Sequence, residues 1–298
     1  MILQTGRASF LLATILFFGL AVLSQAHAQT SNLYLTGYDN NGTYLYIVRG
    51  GNLITQIPES VGGEFAIAVS GDVRTTGMLD TTQATNFNQG AQYGLDGTTT
   101  SIRYARNVGG RMEDGTTDGL HNYAASYQPS GSGSGFTGIV YSFDRNWQNG
   151  DRLFDSGFLG TVDFNPVSVT CDATNASLWV TSWDSSMVKN FSLDGTVLGS
   201  FDLGHNHNRA LALDGADNTL WLINGSSFPP LEQWDKSGHY ITSQSITGLA
   251  NQGGIQGGEF NIFQSTPAAT PEPGSSALLV GAGLSGVTFL RRRARKTV

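Results

Sequence analysis

The chain of 298 residues contains one cysteine, Cys171, so it can form no internal disulfide. Charged residues make up 13% of the chain, and acidic residues outnumber basic ones by 23 to 16. Small exported domains often use disulfides in place of a large core. This chain must instead rely on buried apolar area, which its length permits. We expect Cys171 to be a buried structural thiol, because no base accompanies it in the alternating segment VSVTCDA.

The sequence also contains no G-x-S-x-G, H-E-x-x-H or P-loop motif. These motifs carry the nucleophile of α/β-hydrolases, the zinc ligands of metalloproteases and the phosphate cradle of NTPases. Those three classes therefore lack support. Outside its two ends the sequence shows no convincing amphipathic helix, which favours an all-β body.

The first 28 residues have the pattern of a secretory signal peptide. Arg7 is the only charged residue, an apolar run covers residues 10–23, and small residues occupy the A-x-A positions 26–28. We predict cleavage between Ala28 and Gln29. An uncleaved signal anchor is the alternative.

The C-terminus combines three features in order. Pro271, Glu272 and Pro273 resist helix formation, and residues 275–290 carry no charge. The basic residues that follow are Arg291, Arg292, Arg293, Arg295 and Lys296. A 16-residue helix spans about 24 Å, short of a bilayer core of about 30 Å, but long basic side chains extend its reach. The positive-inside rule places this basic end in the cytoplasm and the body outside it.

This order resembles the PEP-CTERM sorting signal. The resemblance implies a Gram-negative bacterial protein that is recognised by an exosortase, a membrane-embedded cysteine transpeptidase, through Pro271, Glu272 and Pro273. Members of the family are commonly associated with exopolysaccharide and biofilm matrix. We therefore predict a chain that is exported, held transiently in the inner membrane with its body in the periplasm, and transferred to the cell surface or matrix. An ordinary anchor that stays attached is the alternative.

The charge of the body excludes one class of partner. The two ends contain six of the basic residues and one acidic residue, so the rest of the chain has a net charge of about −12. Such a body does not neutralise phosphate backbones, and we predict no binding to nucleic acid. An acidic surface is suited to a soluble domain outside the cell.

An internal repeat predicts the fold. The segment VTCDATNASLWVTSW (169–183) matches LALDGADNTLWLING (211–225) with a shift of 42 residues, which aligns Asp172 with Asp214 and Trp179 with Trp221. Each unit has four short strands in 40–50 residues, the period of a β-propeller blade. The two units also resemble NHL-like and lactonase-like propellers over about 80 residues, a likeness that implies architecture and not activity.

We predict an all-β propeller of five blades over residues 29–263, followed by a spacer at 264–274 and a transmembrane helix with its basic tail at 275–298. The predicted inner strands lie at 62–69, 120–127, 165–171, 208–214 and 257–263. The last of these completes the first blade with three strands at 32–57, because closure removes an exposed sheet edge. Residues 72–118 are poorly patterned, so six blades or an irregular ring are alternatives.

Histidines and carboxylates supply candidate metal ligands. His205 and His207 alternate, and with Asp202 or Asp214 they have the residue types of a metal site. His121 begins a predicted inner strand, which would bring a third imidazole to the same end of the channel. We nevertheless predict no metal and no cofactor, because polar loops are usual between blades.

Acidic side chains suggest two further sites. Glu113, Asp114 and Asp118 form a dense acidic loop, for which we favour solvated turns over a calcium site. Glu64 and Glu259 are expected at matching positions of adjacent blades, where a carboxylate pair would suit a glycosidase.

We predict no catalytic set and a non-enzymatic propeller that binds or scaffolds other molecules, with polysaccharide as one partner and exosortase and the secretion machinery as others. Trp147 is expected to be exposed, either stacking on a sugar ring or capping a hairpin. The alternative is a secreted glycosidase-like or lactonase-like hydrolase or lyase with its site in the central channel. Five side chains distinguish the two interpretations, and their approach to within about 4–6 Å of one another at one mouth of the channel would favour the enzyme. They are His121, His205, His207, Glu64 and Glu259.

Overall fold

A computed structural model describes residues 31–39, 41–77, 89–108, 110–129, 135–160, 167–225, 231–250 and 254–263. The predicted signal peptide with its cleavage site, the spacer, the sorting motif and the basic tail lie outside these residues. Within the described ranges, no helix is both long enough and apolar enough to cross a bilayer.

Twenty strands are present in the described part of the chain. In chain order they are β1 (Leu33–Asp39), β2 (Gly42–Arg49), β3 (Asn52–Pro58), β4 (Ala66–Val69), β5 (Val73–Thr76), β6 (Gln89–Tyr93), β7 (Thr99–Ala105), β8 (Asp114–Thr117), β9 (His121–Pro129), β10 (Phe136–Asp144), β11 (Asp151–Gly160), β12 (Val167–Asp172), β13 (Ser177–Ser182), β14 (Met187–Ser192), β15 (Val197–Asp202), β16 (Asn208–Asp214), β17 (Thr219–Asn224), β18 (Leu231–Trp234), β19 (Tyr240–Gln244) and β20 (Ile255–Phe260).

These strands form five antiparallel four-stranded sheets. Blade 1 has the order β20-β1-β2-β3, and blades 2 to 5 contain β4–β7, β8–β11, β12–β15 and β16–β19. The innermost strands β20, β4, β8, β12 and β16 contact their neighbours around a closed ring. The described residues therefore form a five-bladed β-propeller, which confirms the predicted fold and excludes six blades.

The C-terminal strand closes the ring as predicted. In blade 1, β20 pairs with β1 so that Leu33 lies opposite Phe260 and Tyr34 lies opposite Glu259. This pairing joins residues more than two hundred positions apart. It leaves no inner strand of the described ring without neighbours on both sides.

The repeat is also confirmed, with one error in the assignment of inner strands. Trp179 lies in β13 and Trp221 in β17, at the same position of blades 4 and 5. In blade 3, however, the innermost strand is β8 (DGTT), and the predicted inner strand at 120–127 belongs to β9, the second strand. The prediction was wrong because β8 is short and polar, so it lacks apolar alternation. His121 consequently starts a second strand.

Apolar side chains fill the space between neighbouring blades. Five buried clusters each join one adjacent pair of blades, and Cys171 lies in the cluster between blades 3 and 4. Burial raises the pKa of the Cys171 thiol, which keeps it protonated and confirms its structural role. Trp147, expected to be exposed, is fully buried between blades 2 and 3, because its left-handed backbone (φ 57°) turns the ring inward against Phe143.

Closure of the ring depends on a glycine at its axis. A Cβ at Gly257 in β20 would overlap the carbonyl oxygen of Phe65 and approach Asp114 Oδ1. We predict that Gly257→Ala lowers the free energy of unfolding by roughly 2–3 kcal/mol, as overpacking does. Urea denaturation measures the change. Gly199→Ala in the outer strand β15, where a Cβ meets open space, is the control. Equal stability of the two variants would contradict the crowding at the axis.

Candidate functional site

The inner strands run in the same direction, which defines two faces of the ring. The Asp114 carboxylate accepts the N–H of Val169, and the Thr116 hydroxyl oxygen accepts the N–H of Cys171. Two residues along β8 thus match two residues along β12, so the two strands are parallel. We call the face where inner strands begin the upper face, and the face where they end the lower face. In the described residues, the connections between blades and those between second and third strands lie at the upper face, because first and third strands both begin there.

A single carboxylate occupies the axis of the ring. Asp114 is fully buried, and its two oxygens accept four backbone hydrogen bonds. The donors are the N–H groups of Gly115 (2.9 Å), Gly258 (2.9 Å), Leu211 (2.9 Å) and Val169 (3.3 Å). They belong to the inner strands of blades 3, 1, 5 and 4. One side chain therefore links four of the five blades.

Further side chains complete this axial network. Glu259 accepts hydrogen bonds from the Thr170 hydroxyl (3.1 Å) and the Phe260 N–H (2.9 Å). Thr170 in turn accepts the N–H of Leu213 at 2.9 Å. The innermost strand of each sheet exposes an unpaired backbone edge, and these polar side chains satisfy that edge. The channel is consequently filled by structural hydrogen bonds.

The two axial carboxyls, Asp114 and Glu259, differ in whether they carry a proton. Burial raises the pKa of Asp114 well above its ordinary value, while the four N–H donors oppose the rise. Because none of those donors can accept a proton, their arrangement requires an ionised Asp114. Burial also raises the pKa of Glu259, and the charge of Asp114 raises it further. We therefore assign the proton of this pair to Glu259, whose threonine partners can accept a hydrogen bond.

The predicted acidic loop is divided by the fold. Glu113 and Asp114 are buried near the axis, whereas Asp118 lies in the hairpin between β8 and β9 at the lower face, bonded to Tyr123 (2.8 Å). The expectation of solvated turns was wrong for Glu113 and Asp114, since β8 begins at Asp114. The three carboxylates form no common cluster.

The predicted carboxylate pair is also divided. Glu64 precedes β4 and accepts hydrogen bonds from the Val61 N–H (2.7 Å), the Tyr93 hydroxyl (2.8 Å) and the Thr75 hydroxyl. These partners belong to the boundary of blades 1 and 2, and Glu259 shares none of them. Glu64 and Glu259 thus belong to separate hydrogen-bonding sets.

Glu64 does have an acidic neighbour, Glu59. Its N–H donates to Glu59 Oε2 at 2.8 Å. Burial and the charge of Glu64 raise the pKa of Glu59 to about 8. Burial likewise raises the pKa of Glu64. The connection between blades 1 and 2 therefore holds two neighbouring buried carboxyls whose pKa values both lie above their ordinary range.

The three candidate histidines do not converge. His121 lies at the lower face, 3.4 Å from Asp118 Oδ2, whereas His205 and His207 lie in the upper connection between blades 4 and 5. The His207 ring packs on Trp183 at 4.4 Å. Within the described ranges no three metal-ligating side chains lie close enough to hold an ion. Asp214 lies at the lower face, where it accepts hydrogen bonds from Ser31 (3.0 Å) and Ala216 (2.9 Å).

His205 forms a fixed pair with Glu232. Its Nε2 lies 2.9 Å from Glu232 Oε2, and its Nδ1 lies 3.0 Å from the Asn224 amide. Trp234 Nε1 also donates to Glu232 at 3.1 Å. The hydrogen bond with Glu232 raises the pKa of His205, and the same contact helps to lower the pKa of Glu232. Both ring nitrogens of His205 are engaged, so it anchors the loop to blade 5.

Beside this pair the upper face has an open depression of about 430 Å³. Its lining residues are Asp184, Ser186, Asp202, Gly204, His205 and Asn206. Carboxylates, a hydroxyl and an amide can exchange hydrogen bonds with a polyhydroxylated ligand. Sequence reasoning named Asp202 and His205 but missed Asp184 and Ser186. The repeat offered a signal, because residues 183–186 follow the second strand of a blade and therefore lie at this face.

Comparison with known proteins gives information about the fold and not about the function. No known protein family and no curated protein matches the sequence. A structural genomics protein of unknown function from Bacteroides thetaiotaomicron VPI-5482 is similar with a TM-score of 0.50 and 13% identity, over 74% of this chain and 60% of that chain. A protein of unknown function from Bacteroides caccae gives 0.42 and 13%, over 74% and 75%. A chain of a nidogen/laminin complex gives 0.48 and 11%, over 79% and 100%.

The axial carboxylate predicts a large effect of a small substitution. In Asp114→Asn an amide NH₂ replaces one oxygen and faces backbone N–H donors that then lack an acceptor. We expect the free energy of unfolding to fall by about 3–5 kcal/mol, the cost of breaking a buried charged network. Chemical denaturation measures it, with Asp151→Asn at an exposed position as the control. A loss below about 1 kcal/mol would contradict the role of Asp114.

The protonated carboxyls predict greater stability in mild acid. The folded pKa values of Glu59, Glu64 and Glu259 lie above their unfolded values, so the folded chain binds more protons between about pH 4.5 and 8. Stability should therefore fall as the pH rises through this window, by up to about 1.4 kcal/mol per pH unit for each group. Thermal unfolding at pH 5 and pH 8 tests the sign. Glu59→Gln should reduce the slope, and stability that increases towards pH 8 would refute the assignment.

Proposed function

We propose that this chain is an exported, non-catalytic propeller that binds or organises polysaccharide at the cell surface or in the matrix. One observation carries the proposal: the network of Asp114 and Glu259 fills the axis of the ring. A ligand then meets the propeller at a face of the ring. Propellers use their faces for many unrelated ligands, so the class of ligand follows from the side chains at the face and not from the fold.

The depression at the upper face is the proposed contact surface. Asp184, Ser186, Asp202 and Asn206 offer it both hydrogen-bond donors and acceptors. A sugar presents the matching hydroxyl groups. His205 and Glu232 hold the loop in place, which reduces the entropy lost on binding.

The two ends of the sequence support export and sorting. The signal-peptide pattern directs the chain across the inner membrane, and the PEP-CTERM-like tail holds it there for an exosortase. Transfer from this anchor would deliver the acidic body to the surface. The family's association with exopolysaccharide supplies the class of ligand.

The enzymatic alternative has less support from the contacts. A glycosidase-like site would need Glu64 and Glu259 to face one substrate, yet their hydrogen bonds lie in separate sets. A lactonase-like metal site would need converging imidazoles, yet His121 and His205 lie at opposite faces. Each of these side chains has a partner that explains its position.

Fractionation of the full chain, expressed in a Gram-negative host with an exosortase, tests the proposal. We expect the body in the matrix fraction, and we expect washing with polysaccharide-degrading enzymes to release it. The double variant Pro271→Ala/Pro273→Ala should stay in the inner membrane, whereas Pro230→Ala, a control within the body, should be sorted normally. Recovery of both variants in the matrix would refute the sorting step. Retention in the matrix after complete removal of polysaccharide would refute the binding function.

A further inference from the structure

The centre of the upper face holds a rigid arginine. The Arg209 guanidinium carbon lies 4.3 Å from the centre of the Trp183 ring, and Nη1 donates to the Ile255 carbonyl at 3.4 Å. Trp183 is fixed in turn, because its carbonyl accepts the N–H of His207 at 2.8 Å. Arg209 is half-buried, and this burial lowers its pKa. A fixed and partly desolvated guanidinium binds an anion more strongly than a mobile one in water.

A second arginine makes the centre of this face positive. Arg111 forms an ion pair with the buried Glu113, and both residues interact electrostatically with Arg209. Two guanidinium groups and one carboxylate leave a local charge of +1. This contrasts with the net charge of about −12 on the body as a whole. A local positive charge on an acidic protein favours an anionic group at this one place.

An aromatic ring lies beside the guanidinium. Tyr38 at the end of β1 is 41% exposed and forms a side-chain hydrogen bond with Arg209. Its ring lies 6.2 Å from that of the buried Phe65. An exposed aromatic face combined with a guanidinium matches a sugar ring that carries a carboxylate. The ring supplies apolar contact and the guanidinium can form a bidentate pair with the carboxylate.

We propose that the upper mouth of the ring, formed by Tyr38, Arg111, Glu113, Trp183 and Arg209, binds a uronic acid unit of an acidic polysaccharide. This inference rests on the proposed function and specifies the class of polymer. The Asp114 network below the mouth stops the polymer from entering the channel, so the sugar lies across the face. The neighbouring depression, which contains Asp184 and Asp202, is then left to contact uncharged hydroxyl groups of adjacent units.

Calorimetric titration of the purified full chain tests the proposal, with oligogalacturonate as the acidic ligand and dextran oligosaccharides as the neutral one. We expect oligogalacturonate to bind at least about tenfold more tightly, as hydrogen bonds to a charged group imply. Arg209→Gln should lose that preference. Arg209→Lys should lose part of it, because an ammonium cannot form the bidentate pair. Arg152→Gln, which removes a 60% exposed arginine from β11, is the charge-matched control and should bind within about twofold of the unchanged chain.

Arg111→Gln provides a second variant should Arg209→Gln prove unfolded by thermal denaturation. Its side chain is 26% exposed, and we expect several-fold weaker binding of oligogalacturonate, because one positive charge beside Arg209 is lost. Equal affinity for acidic and neutral ligands, or Arg209 and Arg111 variants that bind like Arg152→Gln, would overturn the inference and leave the proposed function standing. Tighter binding of poly-glutamate than of oligogalacturonate would also overturn it, in favour of an acidic peptide. Failure to bind any polysaccharide would remove the proposed function as well.

Discussion

The whole ring depends on how its inner strands satisfy their backbone groups. Every β-sheet has two edges, and in a propeller the inner edges of all blades face the same narrow axis, away from water. An unpaired N–H in such a place costs free energy comparable to a lost hydrogen bond. Asp114 meets this constraint for four blades at once, since its two oxygens accept four N–H groups. Thr116 and Thr170 extend the same solution towards the lower face.

This solution determines where function can reside. A carboxylate, two threonines and a protonated glutamic acid fill the axis, and glycine is needed where backbones approach one another, as at Gly257. For this reason we place the proposed binding surface not in the channel but at the upper face. There the connections between blades present Arg209 and Tyr38 at the centre, and Asp202 and His205 further out. The two regions differ in charge, with arginines at the centre and carboxylates further out.

The fold was largely predictable from the sequence, because strands repeat with a fixed period and each blade has a buried second strand. The match between blades 4 and 5 indicated the period of a blade, and the predicted inner strands favoured five blades closed by β20, with six blades as an alternative that only the structure excluded. The axial network was not predictable in this way. The strand β8 reads DGTT, which resembles a turn, and only the ring reveals that Asp114 faces backbone donors from other blades. Trp147 was misjudged for a similar reason, since its polar neighbours belong to a turn whose backbone directs the indole inward. Both errors concern residues whose partners are distant in sequence.

Hydrogen exchange of the native protein at individual amides tests this account most directly. If the Asp114 carboxylate holds the blades together, the amides of Gly115, Val169, Leu211 and Gly258 should exchange only on global unfolding, together with the most protected amides of the second strands. Amides on the outer edge of β15 should exchange far faster. Exchange of the four axial amides at rates like those of β15 would show that the axis is open to water, and would contradict the closed hub on which the functional argument rests.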